Sequence, residues 1–488
     1  MSIRLRRACL TAILVAACCA PLQAKPPIDL VPRIEPGDTS KVTVELELGG
    51  QLLVRTENAE KGTLGGSKEL PMSVVGTLRY DERQLDPPSS DSPDKLSARA
   101  VRFYEQADAT IKVDDSGPQP QLPEDRRLIV AQRADERSTL YCPVGPLTRQ
   151  ELDLVDVVGD TLLVNKLLPT KPVAEGDTWN QDADLMAALL TLDSVAVCEV
   201  QSVLDQFNKD FAKVRLSGVV HGTVDGAGTE MDVRAVYLFD RKQGRVTRLN
   251  WAVQEKRAIG GATPGMEGVA RLRVTFDPLQ SSTHLTDEVV ALLPPGDQPP
   301  PDDLVYEAPV QGFRFRHDDG WFVTGEERET VTLGRVDRTG LVAQCSITRL
   351  PPKAADRPTT LEEFQQDITR SLGASFGQLV SSRQWDTGQG LHAMEVIVHG
   401  KVEQIPVEWH YYLLTTDDGQ QRATLAVTIE GEQVKRLANA DKKLIESLEL
   451  MQAARPATAP TAAPQPTEVP QPPAPPAKTA RRAKSSRK

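Results

Sequence analysis

The sequence predicts an α+β protein: a mainly antiparallel β domain, formed as a curved sheet or half-barrel, followed by a smaller domain mixing strands with helices. Three observations carry this. From about Lys41 to Leu279 apolar residues alternate with polar ones, the period-two signature of strands buried on one face. After Asp302, strand-like runs are interrupted by two segments with apolar residues at helical spacing. Between these regions lies Pro294-Pro295-Gly296-Asp297-Gln298-Pro299-Pro300-Pro301-Asp302-Asp303, where five prolines in ten residues exclude a helix or an interior strand. Such a run acts as a semi-rigid spacer. The chain of 488 residues exceeds one ordinary core. It divides into residues 1–24, a linker over 25–40, a β-rich domain over 41–290, a Pro-rich linker over 291–303, a second domain over 304–451 and a tail over 452–488.

Residues 1–24 read as an export signal. Arg4, Arg6 and Arg7 form a basic start, Ala8 to Ala17 a short apolar run, and Leu22-Gln23-Ala24 a cleavage point. A second reading stands beside it: Val15-Ala16-Ala17-Cys18 resembles the bacterial lipobox, which implies lipidation at Cys18. Both place the mature chain outside the cytoplasm, in the periplasm or at the cell surface. No later run approaches the ~20 apolar residues of a membrane-spanning helix. In that oxidising setting Cys142 and Cys198 are the one candidate disulfide within a domain, while Cys345 alternates with Leu341, Ala343 and Ile347 as a small buried hydrophobe.

In the first domain, Val42, Val44, Leu46 and Leu48 share one strand face, and Met231, Val233, Ala235, Tyr237 and Phe239 another. Leu249, Trp251 and Val253, then Ala270, Leu272, Val274 and Phe276, continue the pattern. Asp225-Gly226-Ala227-Gly228 and Asp240-Arg241-Lys242-Gln243-Gly244 are hairpin turns between such runs. Thr148 to Val158 and Asp182 to Leu192 have helical composition. Between them, Leu168-Pro169-Thr170-Lys171-Pro172-Val173-Ala174-Glu175-Gly176-Asp177-Thr178-Trp179 resembles a pattern recurring in uncharacterised exported β-rich bacterial families, which brings no known activity. Asp177 suits a tight turn, and Trp179 would close one end of the sheet.

In the second domain, Phe313 and Phe315 with Trp321 to Val323 read as an opening hairpin around His317-Asp318-Asp319-Gly320, followed by strands over 330–336 and 341–350. Thr360 and Glu363 have capping-box spacing ahead of Leu361, Phe364, Ile368 and Leu372, which marks a helix. Strands near 379–385, 391–398, 402–414 and 422–429 follow, then a helix over about 432–448. This order, with the Phe315 to Trp321 opening, the Thr360 to Phe364 helix start and the closing Leu444-Ile445-Glu446-Ser447-Leu448, resembles the PsbP/Mog1-like α/β/α sandwich. The resemblance covers about 140 residues and implies a non-catalytic binding or assembly role, with no ligand residues to carry over.

The net charge of −11 is uneven: residues 452–488 carry +6 and the remainder −17. An acidic body opposes nucleic acid, and none is expected as a partner. The Pro/Ala-rich tail cannot bury a core and reads as a disordered arm, whose Arg481, Arg482, Lys484, Arg487 and Lys488 would meet anionic cell-wall polymer, lipid headgroups or an acidic envelope protein. His221, His284, His317, His392, His399 and His410 show no zinc-type helix pairing, and there is no nucleophile elbow, P-loop or dinucleotide fingerprint. No catalytic, metal or cofactor residue is assigned. Trp179, Trp251 and Trp321, large rings with a polar edge, are the candidate ligand or partner surface. The resulting expectation is an exported, non-catalytic binding or scaffold protein of the bacterial envelope. The alternative is a carrier of a lipid or other apolar molecule on the concave face of the first sheet; an unrecognised hydrolase ranks last.

Overall fold

The computed structural model describes residues 26–58, 63–86, 98–134, 137–296, 298, 301, 303–353 and 357–452. The candidate signal over 1–24 with Cys18, and all the basic residues of the tail, lie outside them. Strands β1 (Thr39–Asn58), β2 (Thr63–Asp86), β3 (Ala98–Val113), β4 (Leu128–Ala134) and β5 (Arg137–Tyr141) form one arm of an eleven-stranded antiparallel sheet. The other arm is β6 (Thr178–Asn180), β7 (Ser194–Phe207), β8 (Phe211–Val224), β9 (Ala227–Asp240), β10 (Arg245–Arg257) and β11 (Gly265–Leu279). The arms join where β1 pairs with β11, with Val42 opposite Phe276 and Val44 opposite Val274. The sheet is open, with β5 and β6 at its edges.

A plug fills part of the inner face. It comprises α1 (Arg149–Val155), a 3-10 turn at Val164–Leu167 and α2 (Ala183–Leu189). Thr148 and Glu151 cap α1 reciprocally, and Asp182 caps α2 through the Asp184 and Leu185 amides. Leu163, Val164, Leu167, Met186 and Leu189 are fully buried against the inward residues of the strands. Each such side chain contributes about 1.5–3 kcal/mol by leaving water.

A buried polar cluster fixes the plug to the sheet. Arg102 on β3 donates through Nε to Glu82 of β2 at 2.8 Å and through Nη2 to Thr161 of the plug at 3.0 Å. Thr161 in turn donates to Glu82 at 2.7 Å, and Arg133 of β4 pairs with Asp160 at 3.2 Å.

Two parts of the expected division are corrected. Residues 25–40 are not a free linker: Ile28 pairs with Val173, and Ile28 and Leu30 belong to the first core. Nor is the stretch approaching the prolines detached. It includes α3 (Asp287–Ala291); Leu285 is buried, Ser282 donates to Asp81 at 2.6 Å, and Arg99 of β3 donates to the Pro294 carbonyl.

The second domain holds β12 (Leu304–Ala308), β13 (Phe313–His317), β14 (Trp321–Glu326), β15 (Thr330–Asp337) and β16 (Gly340–Leu350), then α4 (Leu361–Leu372). After α4 come β17 (Phe376–Asp386), β18 (His392–Val402), β19 (Ile405–Thr415), β20 (Arg422–Glu430), α5 (Val434–Leu437), α6 (Ala440–Ser447) and β21 (Glu449–Leu450). Seven strands form one antiparallel sheet in the order β14-β15-β16-β20-β19-β18-β17. On one face Phe364 and Ile368 of α4 pack on Met394, Val396, Val398 and Trp409. On the other, Leu437, Leu444 and Ile445 of α5 and α6 pack with Phe313 and Phe315 over Cys345, Ile347, Leu425 and Val427.

The opening hairpin is corrected: β13 pairs with β12 and β21 in a separate small sheet, while β14 pairs with β15. The closing helix is broken, because Ala438 and Asn439 adopt left-handed backbone between α5 and α6. The candidate disulfide is not formed: Cys142 and Cys198 are both free thiols.

Contacts between the domains include two backbone approaches. Leu147 and Leu304 form a parallel bridge through the Val305 amide, 2.9 Å from the Leu147 carbonyl. At the β8–β9 turn, Gly226 has φ +68°, and a Cβ there would lie 2.6 Å from the Asp337 carbonyl oxygen on the β15–β16 turn. Only glycine fits that approach.

Because Arg102 is the donor that ties β2 to the plug, Arg102→Met leaves Glu82 buried without its cation. The expected loss is about 3–5 kcal/mol in the first-domain transition on urea unfolding. Arg273→Met, which breaks an exposed pair with Glu45, should cost under about 1 kcal/mol in the same measurement.

Candidate functional site

The plug does not reach the whole inner face. Beyond α1, a cleft of about 630 Å³ lies between the first sheet and the second domain. Its floor is Val44 and Leu46 of β1, Val74, Gly76 and Leu78 of β2, and Ala109 and Ile111 of β3. These share one face because each is two residues from the next along its strand, and Leu46, Gly76 and Ala109 stand in register across three strands. Pro118, Pro120, Leu154 and Val157 close the sides. The roof comes from the second domain: Val305, Tyr306, Trp321, Phe322 and Val323. Its size falls within the ~300–1,000 Å³ typical of small-molecule sites, and its wall is the mostly apolar kind with a few polar groups.

The polar groups gather at the α1 side. Arg149 donates through Nη2 to the Asp319 carbonyl and stacks its guanidinium 4.5 Å from the Phe322 ring centre. Its Nε is buried without a partner, as is the indole Nε1 of Trp321. Asp153, one turn along α1, reaches solvent through the cleft yet is surrounded by protein. Desolvation pushes its carboxyl up to about 6, with Arg149 opposing and Asp225 adding to the rise. His317 is buried, and that desolvation lowers its pKa; Nδ1 donates to the Asp318 carbonyl at 2.7 Å, which fixes the tautomer. At the outer side Glu326 accepts from the Tyr306 hydroxyl at 2.7 Å.

The three tryptophans part company. Trp179 is half-buried on the edge strand β6 and donates Nε1 to the Leu167 carbonyl at 2.9 Å, closing the sheet over the plug. Trp251 is 2% exposed inside the first core, and what little it exposes lines a second groove on the first sheet. Trp321 is 1% exposed, so it is no partner surface, but it does line the cleft. Asp177 shapes the turn by accepting from the Ala174 amide at 2.8 Å. The outer face of the first sheet carries a shallower groove, of about 660 Å³, lined by Arg215, Arg234, Arg271 and Arg273 with Glu45 and Glu47.

One titratable cluster was only half legible in the sequence. His410 on β19 sits between two carboxylates, with Nδ1 2.6 Å from Asp441 of α6 and Nε2 2.7 Å from Glu408. Glu408 also meets His399 at 2.5 Å, and Tyr412 donates to Asp441 at 2.6 Å. The alternation of Glu408, His410 and Tyr412 was visible in sequence, but Asp441 lies on a helix thirty residues away. Both ring nitrogens of His410 are engaged by carboxylates. Among the described residues no group of three or more His, Cys, Asp or Glu could hold a metal ion.

No family model matches this sequence, and no curated protein matches it. Several solved structures share parts of its fold. Cyanobacterial PsbP from Synechocystis is 12% identical and covers 33% of this chain and 99% of its own, with a TM-score of 0.25. A mutant of the protein Mog1 is 8% identical, covers 30% and 96%, and scores 0.24. A lipovitellin structure, described by its lipid–protein interactions, is 9% identical over 52% of this chain and 26% of its own, scoring 0.30. These are likenesses of fold, and at such scores they carry no argument about activity.

His410 supplies a pH test. Burial pulls its pKa down, but the hydrogen bonds and charges of Asp441 and Glu408 outweigh that and leave it raised. A raised folded pKa gives stability that is full below the unfolded value of about 6.5 and lost as pH rises through the folded value. The stability difference between the natural chain and His410→Asn should therefore shrink on going from pH 6 to pH 9, followed by urea unfolding of the second domain. A difference that stays constant over that range would show that the histidine is held neutral.

Proposed function

We propose that this chain is a non-catalytic, exported binding protein that holds an apolar small molecule in the cleft between its two domains. The observation that carries this is the apolar floor of the first sheet left uncovered by the plug and roofed by aromatic and aliphatic side chains of the second domain. Apolar surface that the fold could have covered by lengthening the plug stays open instead, and such surface is normally kept for a partner or ligand. The pattern over residues 1–24 supports action outside the cytoplasm, in the periplasm or at the cell surface. We read the second domain as an α/β/α sandwich of the PsbP/Mog1 kind, supported by α4 on one face of its sheet and α5 with α6 on the other.

A scaffold role is the second reading. It is favoured by Leu379 and Val380, exposed on the edge strand β17, and by Val402 and Ile405 at the tip of the β18–β19 hairpin.

Gly76 separates the two. A Cβ there would meet only Ala109 and Leu46 side chains and the Asp108 carbonyl at 3.7–3.9 Å, so a larger side chain can rise from the floor without moving backbone. Native mass spectrometry of the chain purified from its own cells should show a bound small molecule, and Gly76→Phe should remove it while leaving the circular dichroism spectrum unchanged. An empty natural chain that co-purifies with a defined protein, or a ligand retained by Gly76→Phe, would decide for the scaffold.

A further inference from the structure

We propose that the occupant of the cleft is a single-chain amphiphile with a carboxylate head, the head seated at Arg149 and Trp321 and the chain laid along the sheet. The inference rests on the binding reading above and adds the ligand's polar chemistry. Two buried donors, Arg149 Nε and Trp321 Nε1, have no partner in the structure, and both residues line the same cleft. Buried donors are nearly always satisfied, so a pair of them at one cavity marks where accepting oxygens belong. Arg149 is held for this role, because its Nη2 is tied to the Asp319 carbonyl and its plane lies on Phe322, which fixes the direction of the remaining N–H. A guanidinium presents its donors in a planar fork that matches a carboxylate.

Arg149 is the one lysine or arginine among the residues lining the cleft. Asp153, on α1 with Arg149, has its carboxyl pushed up to about 6 by desolvation, so it offsets the guanidinium charge less as pH falls to 6 and below. His317 is kept from charging by burial. Of the other carboxylates lining the cleft, Glu307 is paired with Arg314 at 3.7 Å, while Glu326 accepts from Tyr306 and Asp108 from Gln106 at 2.7 Å, neutral donors that fix them in place without cancelling their charge. Beyond the head, the floor around Gly76 is aliphatic across three strands and offers a chain no polar partner from its side chains.

The test is titration calorimetry of the delipidated full chain with three probes of equal chain length: dodecanoate, dodecanol and dodecyltrimethylammonium. Dodecanoate should bind roughly tenfold tighter than dodecanol, as a charge-assisted bidentate contact would give, and the ammonium probe should bind weakest. Arg149→Met should abolish the preference for dodecanoate and leave dodecanol unchanged. Trp321→Phe, which keeps the packing and deletes the indole N–H, should reduce the preference several-fold and covers the case of a misfolded Arg149 variant. If all three probes bind equally, or the ammonium binds tightest, the head assignment fails while the binding reading stands. If none binds, both fail. Binding that appears only once residues 453–488 are removed would give the cleft to the chain's own end and overturn the assignment.

Discussion

The inner face of the first sheet is larger than the segment that folds into it, and the rest of the molecule is arranged around that mismatch. β1, β2 and β3 run for 20, 24 and 16 residues. At about 3.3 Å per residue, β2 alone follows a contour on the order of 80 Å. The helices of the plug have seven residues each, about 10 Å at 1.5 Å per residue. Such helices cover one region of the sheet and no more. The apolar residues beyond α1, from Leu46 to Ile111, need another cover, and the second domain supplies it only as a roof over a gap.

What decides where the uncovered region falls is the buried polar cluster. Apolar packing of Leu163 or Met186 against the sheet is non-directional and would tolerate a slide of the plug along the strands. Arg102, Glu82, Thr161, Asp160 and Arg133 admit only one arrangement in which each buried charge finds its partner. Their desolvation offsets much of what the pairs contribute, so the cluster gives position more than stability. With the plug fixed, Arg149 at the start of α1 is placed at the cleft. The bridge between Leu147 and Leu304, only two residues before it, brings the second domain to the same point.

The features legible in the sequence are those set by neighbours along the chain. Alternation located the strands of the second arm, and the turns at Asp225-Gly226 and Asp240 to Gly244 lie where hairpins form. The Thr360 and Glu363 capping box starts α4 as its spacing requires. The misreadings arise where distant partners compete. Asp318-Asp319-Gly320 has every mark of a hairpin turn, yet β13 is claimed by β12 and by β21, more than a hundred residues on, while β14 finds β15. The linker over 25–40 looked polar and Pro-rich, and Ile28 and Leu30 gave no periodic signal, though both are buried. The cleft was foreshadowed only as an apolar face. Its roof and its orphaned donors come from residues separated by more than 150 positions, and no local pattern encodes that meeting.

The same layout separates the titratable cluster of the second domain from the cleft. The histidine cluster of the second domain, the nearest thing to catalytic machinery among the described residues, is consumed in holding α6 to β19, with His410 closed at both nitrogens. The cleft itself is lined by Arg149, His317, Trp321 and the carboxylates Asp108, Asp153, Glu307 and Glu326. Its two walls belong to separate hydrophobic clusters, and Leu304 is the one second-domain residue counted in the first core. Parting the walls would draw Leu304 out of the first core, and the other interactions given up include the Leu147 to Leu304 bridge and the Arg149 contacts with Asp319 and Phe322. Arg149 thus stands both at the contact between the domains and at the cleft, with its Nε still without a partner.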